Sequence, residues 1–193
     1  MTVFDDITDR VEGFLDDLLV SERVRDQLAR ASRLVDRDNY DQAERLLEEA
    51  RDSEPQVHRI HQLLGLCRLE QGEPDRAGEA LDRALELRED PTSHFYAGLA
   101  AERTDSPEVA RLHYHRALGL AEDHPFEFEV HLGLGRIYLE LGRADRAANE
   151  LEKALATDPD RDDARLALAR AELRRGDVDA AGALVDQLLE GDA

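Results

Sequence analysis

The feature that most constrains this chain is an internal repeat with a period near 34 residues. Five alanines mark the repeat, and their successive separations are 34, 33, 37 and 34 residues. These alanines are Ala43, Ala77, Ala110, Ala147 and Ala181. A unit this short cannot bury an apolar face alone, so neighbouring copies must stack to form a continuous core. The repeat therefore predicts a stacked array of about five units.

Each alanine belongs to a helical pattern. A large residue follows it after four positions and a small or apolar residue after seven, which places all three on one helical face. The large residues are Leu47, Leu81, Tyr114, Leu151 and Val185. A second helical stretch precedes each alanine and carries a small residue at a matched position, which allows the two helices to approach closely. These small residues are Ala31, Gly65, Gly98, Gly135 and Ala169.

Turn signals separate the two helices of every copy. They are Asp38-Asn39, Gly72-Glu73-Pro74, Asp105-Ser106-Pro107, Gly142-Arg143 and Gly176-Asp177. The fourth copy is the most complete and contains Leu134-Gly135, Tyr138, Ala147, Leu151, Ala154 and Pro159. This order resembles the tetratricopeptide repeat, whose pattern is W-x2-L-G-x2-Y, then A-x3-F, then P. Only the tryptophan position of this copy differs, because His131 occupies it.

The resemblance implies an all-α fold, a right-handed α-solenoid of tetratricopeptide-type helix-turn-helix repeats. We expect ten repeat helices, more than about 70% helix and no strand. The expected repeats span about 22–57, 58–90, 91–127, 128–161 and 162–193. Residues 1–21 form a separate segment with an amphipathic stripe, which predicts a helix that covers the open face of the first repeat or self-associates as a coiled coil. That stripe consists of Phe4, Ile7, Val11, Phe14 and Leu18.

Composition excludes several classes of partner. The formal net charge is −20, so a nucleic acid or an anionic membrane surface would be repelled. The chain has one cysteine, Cys67, and no apolar run long enough to span a membrane. These features predict a soluble, acidic protein of the cytoplasm. Lys153 is the sole lysine beside many arginines, which is typical of a high-GC prokaryotic genome.

The sequence contains no set of residues that indicates catalysis. His61, His94 and His131 share the repeat position of the family's tryptophan, so we expect packing roles with one ring nitrogen hydrogen-bonded. No serine stands in a G-x-S-x-G context, and no cysteine or carboxylate set has the spacing of metal ligands. We therefore expect no enzymatic activity, no cofactor and no metal.

The resemblance implies a groove lined by the first helix of every pair, where equivalent residues form rows. The predicted groove residues are Leu28, Gln62, Leu66, Leu69, Phe95, Leu99, Arg103, Leu132, Arg136, Leu139, Leu166, Arg170, Leu173 and Arg174. They change from apolar in the N-terminal copies to cationic in the C-terminal copies. The arginines contact either a partner or neighbouring carboxylates, for which Glu102, Glu140 and Glu172 are the candidates.

This groove predicts a protein-protein interaction adaptor or scaffold. Its partner is a protein or peptide with an apolar anchor and an acidic flank. The alternative is a structural subunit of a stable homo- or hetero-oligomer. Weak self-association through the N-terminal helix or the C-terminal end is a further expectation, since the last helix carries Leu184, Leu188 and Leu189 with no following helix to cover them.

Overall fold

The computed structural model describes residues 20–120 and 126–191, and every regular element in these ranges is an α-helix. The helices are α1 (Glu22–Val35), α2 (Tyr40–Ser53), α3 (His58–Glu70), α4 (Pro74–Leu87), α5 (Pro91–Arg103), α6 (Pro107–Leu120), α7 (Glu127–Glu140), α8 (Ala144–Thr157), α9 (Asp162–Arg175) and α10 (Val178–Gly191). The predicted ten repeat helices are confirmed. The helix expected in residues 1–21 lies outside the described ranges except for Val20 and Ser21.

All five predicted turns within the repeats place one residue in the left-handed region. Three of these residues are glycines, and the other two are Asp38 and Asp105, with φ of 55° and 53°. Aspartate tolerates this conformation better than most residues. The following residue donates its N–H to a carbonyl five positions back, as Arg143 does to Tyr138 at 2.8 Å. This bond satisfies a helix-end carbonyl and reverses the chain within a few residues.

The helices form two compact units, Met1–Glu89 and Asp90–Ala193. Each unit has its own apolar core. In the first, α1 to α3 enclose fully buried Val24, Leu47 and Leu64. In the second, α7 and α8 contribute fully buried Leu134 and Leu151. Burial of Leu47 and Leu151 is what the helical spacing predicted.

The paired helices cross at glycines that leave room for a large side chain. A Cβ atom added to Gly135 of α7 would stand 2.5 Å from Cγ of Leu151 in α8. A Cβ added to Gly65 would lie under 3.0 Å from Leu81, and one added to Gly98 equally close to Tyr114. At each of these crossings, the small residue of the first helix contacts the large residue of the second helix that the repeat pattern identified. The close approach of the two helices therefore depends on the missing side chain.

Tyr114 fills the crossing of α5 and α6 and extends beyond it. Gly133 of α7 lies on its other side, where an added Cβ would be 2.7 Å from the ring. The Tyr114 hydroxyl donates a hydrogen bond to the carboxylate of Glu102. Burial raises the pKa of Glu102, although the Tyr114 hydroxyl and the Arg136 charge oppose that rise. The buried ring thus positions a polar group at the edge of the core.

The three histidines of the tryptophan position are buried and hydrogen-bonded. His61 Nε2 lies 2.8 Å from the carbonyl oxygen of Pro55. His131 Nδ1 lies 2.7 Å from Glu150, and His94 Nδ1 lies 3.0 Å from Nδ1 of His113. Their predicted packing role is confirmed.

Gly135→Ala should lower the free energy of unfolding by about 1–3 kcal/mol, because the new methyl group overlaps Leu151. Gly78→Ala is the matched control, since Gly78 also lies inside a helix but a Cβ added there would meet nothing within 4 Å. That variant should be neutral or more stable by about 0.4–1 kcal/mol. Urea unfolding followed by circular dichroism measures both. Equal losses at the two sites would contradict the crossing geometry.

Glu102→Gln should stabilise the protein more at pH 7 than at pH 4. The folded state holds the pKa of Glu102 above its usual 4.5, so ionisation destabilises the fold as pH rises through and beyond that value. Glutamine keeps an acceptor for the Tyr114 hydroxyl but does not ionise. Unfolding free energies of both proteins at the two pH values test this expectation. A difference between the proteins that does not change with pH would contradict it.

Candidate functional site

The predicted groove residues all lie on the first helix of a pair, but they differ in exposure. Five lie in the core with at most 8% of their surface exposed: Gln62, Leu69, Phe95, Leu132 and Leu139. Three are partly buried: Leu28, Leu66 and Leu99. Six are exposed: Arg103, Arg136, Leu166, Arg170, Leu173 and Arg174. The surface available to a partner is therefore concentrated toward the C-terminal copies.

The two units divide the predicted residues unequally. The first unit holds Leu28, Gln62, Leu66 and Leu69, and the second unit holds the other ten. Within the second unit, Phe95 stacks on Phe126 with ring centroids 4.3 Å apart and an interplanar angle of 9°. The face of Phe95 that was predicted to contact a partner is therefore covered by Phe126.

A cleft of about 560 Å³ lies between α7 and α9 in the second unit. We call it the α7/α9 cleft. Its lining consists of Arg136, Leu139, Glu140, Asp163, Leu166, Ala167, Arg170, Leu173 and Arg174. Six of these nine residues belong to the predicted groove set, so the structure gathers the C-terminal part of that set into one site.

The wall formed by α9 alternates apolar and cationic side chains. Leu166, Arg170, Leu173 and Arg174 follow one another at spacings that keep them on one helical face. Leu166 is 43% exposed and Leu173 is 56% exposed, although both are large apolar side chains. The wall therefore offers two uncovered leucines with guanidinium groups beside them.

The three arginines of the cleft have different partners. Arg136 forms an ion pair with Asp163, with Nη2 and Oδ2 3.4 Å apart. Arg174 donates a hydrogen bond to the backbone carbonyl of Leu139, near the end of α7. Arg170 forms no ion pair or hydrogen bond with any residue in the described ranges. Within those ranges, its guanidinium group is thus available to a partner.

Asp163 is the main anionic group opposite these arginines. Burial acts against its ionisation, but Arg161 at 3.1 Å holds the pKa of Asp163 below its usual value. The carboxylate therefore stays charged and shared between Arg161 and Arg136. Sequence analysis missed Asp163, although it lies seven residues before Arg170, a spacing that places both on one face of α9.

The carboxylates that sequence analysis considered as arginine partners have other contacts. Glu102 accepts the hydrogen bond of Tyr114, and Glu172 pairs with Arg175 at 2.8 Å. Glu140 lies on the cleft wall and is exposed. Arg136 therefore has a neighbouring carboxylate, Asp163, as its partner. Arg170 has no such partner among the described residues.

Two further observations bear on the class of site. The described residues contain no group of three or more histidine, cysteine, aspartate or glutamate side chains arranged to hold a metal ion. None of the described helices combines the length and the apolar character that crossing a membrane requires.

Comparison with known proteins identifies the repeat. Two family models, each described as tetratricopeptide repeat, match residues 28–94 and 138–193, which together make up more than half of the chain. No curated protein matches the sequence.

Solved structures show the same fold at low sequence identity. MamA from Desulfovibrio magneticus RS-1, in a form that starts at residue 41, is 18% identical with a TM-score of 0.79, covering 89% of this chain and 96% of that one. YrrB, described as a TPR protein with an unusual peptide-binding site, is 16% identical with a TM-score of 0.74 and coverages of 95% and 90%. PilW, described as a type IV pilus biogenesis factor, is 20% identical with a TM-score of 0.73 and coverages of 85% and 75%. With its all-α helix pairs, its repeat pattern and these matches, the chain belongs to the tetratricopeptide repeat family.

Proposed function

We propose that this protein is a non-catalytic adaptor or scaffold that binds a partner peptide or helix in the α7/α9 cleft. The observation that carries the proposal is the exposure of Leu166 and Leu173 beside Arg170, which has no counter-ion among the described residues. A chain with net charge −20 has few reasons to keep an exposed arginine of this wall, Arg170, without a counter-ion among the described residues. A complementary partner is one such reason.

The cleft fits a partner that combines an apolar anchor with carboxylates. Covering the exposed parts of Leu166 and Leu173 would contribute roughly 1 kcal/mol each. A partner carboxylate beside Arg170 can accept two parallel N–H bonds from the guanidinium group. Arg136 and Arg174, already oriented by Asp163 and by the Leu139 carbonyl, add positive potential at the same place.

The chemistry of the lining supports binding over catalysis. Its nine side chains are arginine, leucine, alanine, aspartate and glutamate, and one of its two carboxylates, Asp163, is already held by Arg161 and Arg136. The description of YrrB as a peptide-binding TPR protein is consistent with a recognition role. We place this role in the cytoplasm of a prokaryote, on the basis of composition.

The alternative function, a structural subunit of a stable assembly, is favoured by a different observation. Helix α10 exposes Val178, Val185 and Leu189, with 66%, 40% and 67% of their surfaces accessible. Light scattering on the purified chain separates the two functions. A monodisperse monomer supports the adaptor, and an obligate oligomer supports the subunit.

Replacing Arg136 and Arg170 together with glutamate should weaken partner binding by about 2 kcal/mol or more, which is roughly a 30-fold increase in Kd. The partner is first identified by affinity capture from the native host and mass spectrometry. Isothermal titration calorimetry then compares the wild type with the double variant. Binding of the wild type should also weaken as salt increases, because the recognised charges are partly exposed.

The matched control is the pair Arg23→Glu and Arg25→Glu on α1, which changes the net charge equally but lies in the first unit. The control should bind nearly as well as the wild type. Arg170→Gln alone should account for more of the loss than Arg136→Gln, because Asp163 already engages Arg136. Unchanged binding by a folded double variant would contradict the proposal.

A further inference from the structure

Among the described residues, no helix covers one apolar face of α10, and this face is separate from the α7/α9 cleft. Val178, Gly182, Val185 and Leu189 follow at intervals of four, three and four residues, so they form a continuous stripe along α10. All four residues are exposed, and three of them carry large apolar side chains. A contiguous apolar stripe of this kind is typical of an interaction surface.

The internal repeat shows what this stripe normally contacts. Val185 occupies the position of Leu47, Leu81, Tyr114 and Leu151, which all have 0% exposure, whereas Val185 is 40% exposed. The second helices α2, α6 and α8 each pack against the first helix of the following pair, α3, α7 and α9. At Tyr114 the covering group is visible, since Gly133 of α7 lies against its ring. On α10 the corresponding position has no covering helix among the described residues.

The acids of α10 indicate which charge a helix bound to this face should carry. Asp179 is equivalent in the repeat to Asp41 and Asp145, and both of those accept a hydrogen bond from the end of the next first helix. The donors are Gln71, at 2.9 Å, and Arg175, at 3.1 Å.

Asp186 is equivalent to Glu48, which binds Arg68 of α3 at 2.6 Å. Asp179 and Asp186 are both exposed and have no ion pair with any described residue. At the equivalent positions of the other copies, the donors come from the first helix of the next pair or from its C-terminal end.

We propose that the exposed face of α10 binds a helix of another protein, which takes the position that the first helix of a next repeat would have. The bound helix carries small or apolar residues along one stripe. Near its C-terminal end it carries a basic side chain and, three residues later, a second basic or an amide side chain, the spacing of Arg68 and Gln71. These side chains meet Asp186 and Asp179. The interaction is independent of the partner proposed for the α7/α9 cleft.

A second copy of this chain fits the face poorly. In end-to-end stacking, helix α1 of the second copy would lie on this face. It has Asp26, Arg30 and Arg33 at the repeat positions where α7 has Val130, Leu134 and Ile137, and these three α7 residues are at most 1% exposed. End-to-end stacking would therefore bury charges against Val185, which is costly. Pairing of α10 with itself offers no basic residue to Asp179 or Asp186, because α10 contains none. The charges favour a basic helix over the self-association that the sequence suggested.

The probe for this proposal is a fluorescent peptide of residues 57–72, which contains α3 with Arg68 and Gln71. A covalent link between positions 66 and 70 holds it helical, since a free peptide of this length is only marginally helical. Fluorescence anisotropy measures its binding to the intact protein. Val185→Glu should weaken binding about tenfold or more, and Asp186→Arg about fivefold. A peptide with Arg68→Glu should bind Asp186→Arg more tightly than it binds the wild type.

Val109→Glu on α6 is the matched control, because Val109 is a 49% exposed valine on another second helix. It should leave peptide binding unchanged, and circular dichroism checks that every variant is folded. The proposal is overturned if the peptide shows no saturable binding up to about 1 mM, or if folded Val185→Glu binds it like the wild type. It is also overturned if sedimentation shows wild-type dimers that Val185→Glu abolishes, because the occupant is then a second copy.

Discussion

The close crossing of the two helices in each repeat is the interaction on which the rest of this structure depends. At Gly65, Gly98 and Gly135 the first helix lacks a side chain, and the second helix inserts Leu81, Tyr114 or Leu151 into the space. Dense packing at one point fixes which face of each helix is internal. The exposed faces of the first helices are then left for surface contacts, and the second helices α2, α6 and α8 pack in addition against the first helix of the next pair. Both candidate surfaces of this protein follow from that division.

Charge determines which of the available surfaces are suited to recognition. Several arginines in the second unit form an ion pair with an acid, such as Asp162 for Arg165 and Glu172 for Arg175. One partner of each of these two pairs is exposed, Asp162 and Arg175, and pairs that water reaches contribute little to stability. Arg170 stands between two exposed leucines and has no counter-ion in the described ranges. On α10 the situation is reversed, because its apolar stripe is flanked by acids for which the described residues supply no base. The two surfaces therefore suit partners of opposite charge.

The sequence was sufficient to predict the helix pairs and the crossing residues, because a repeated pattern reports the same physical requirement five times. It also predicted the turns, including the two where aspartate replaces glycine in the left-handed region. The exposure of the groove residues could not be predicted in the same way. Phe95 occupies a groove position in the pattern, yet Phe126 from the connection before α7 stacks on it and helps to bury it. That connection is not periodic, so the repeat carries no information about it.

The ion pair of Arg136 illustrates the same limit. Sequence analysis proposed glutamates on neighbouring helices, whereas the partner is Asp163 in the first turn of α9. Helical spacing indicates which residues share a face within one helix, but the contact between two helices depends on their offset along the axis. The difference between Arg136 and Arg170 could therefore be recognised only in the three-dimensional structure.

Photo-cross-linking from the α7/α9 cleft tests the proposed binding site most directly. A benzophenone amino acid is placed at Leu173, which is 56% exposed in the cleft, or at Leu112, which is 57% exposed on α6. Both proteins are expressed in the native host and irradiated. We expect the captured partner to cross-link from position 173, through a segment with an apolar residue next to aspartate or glutamate, and not from position 112. Cross-linking from position 112 alone would contradict a binding site in the cleft.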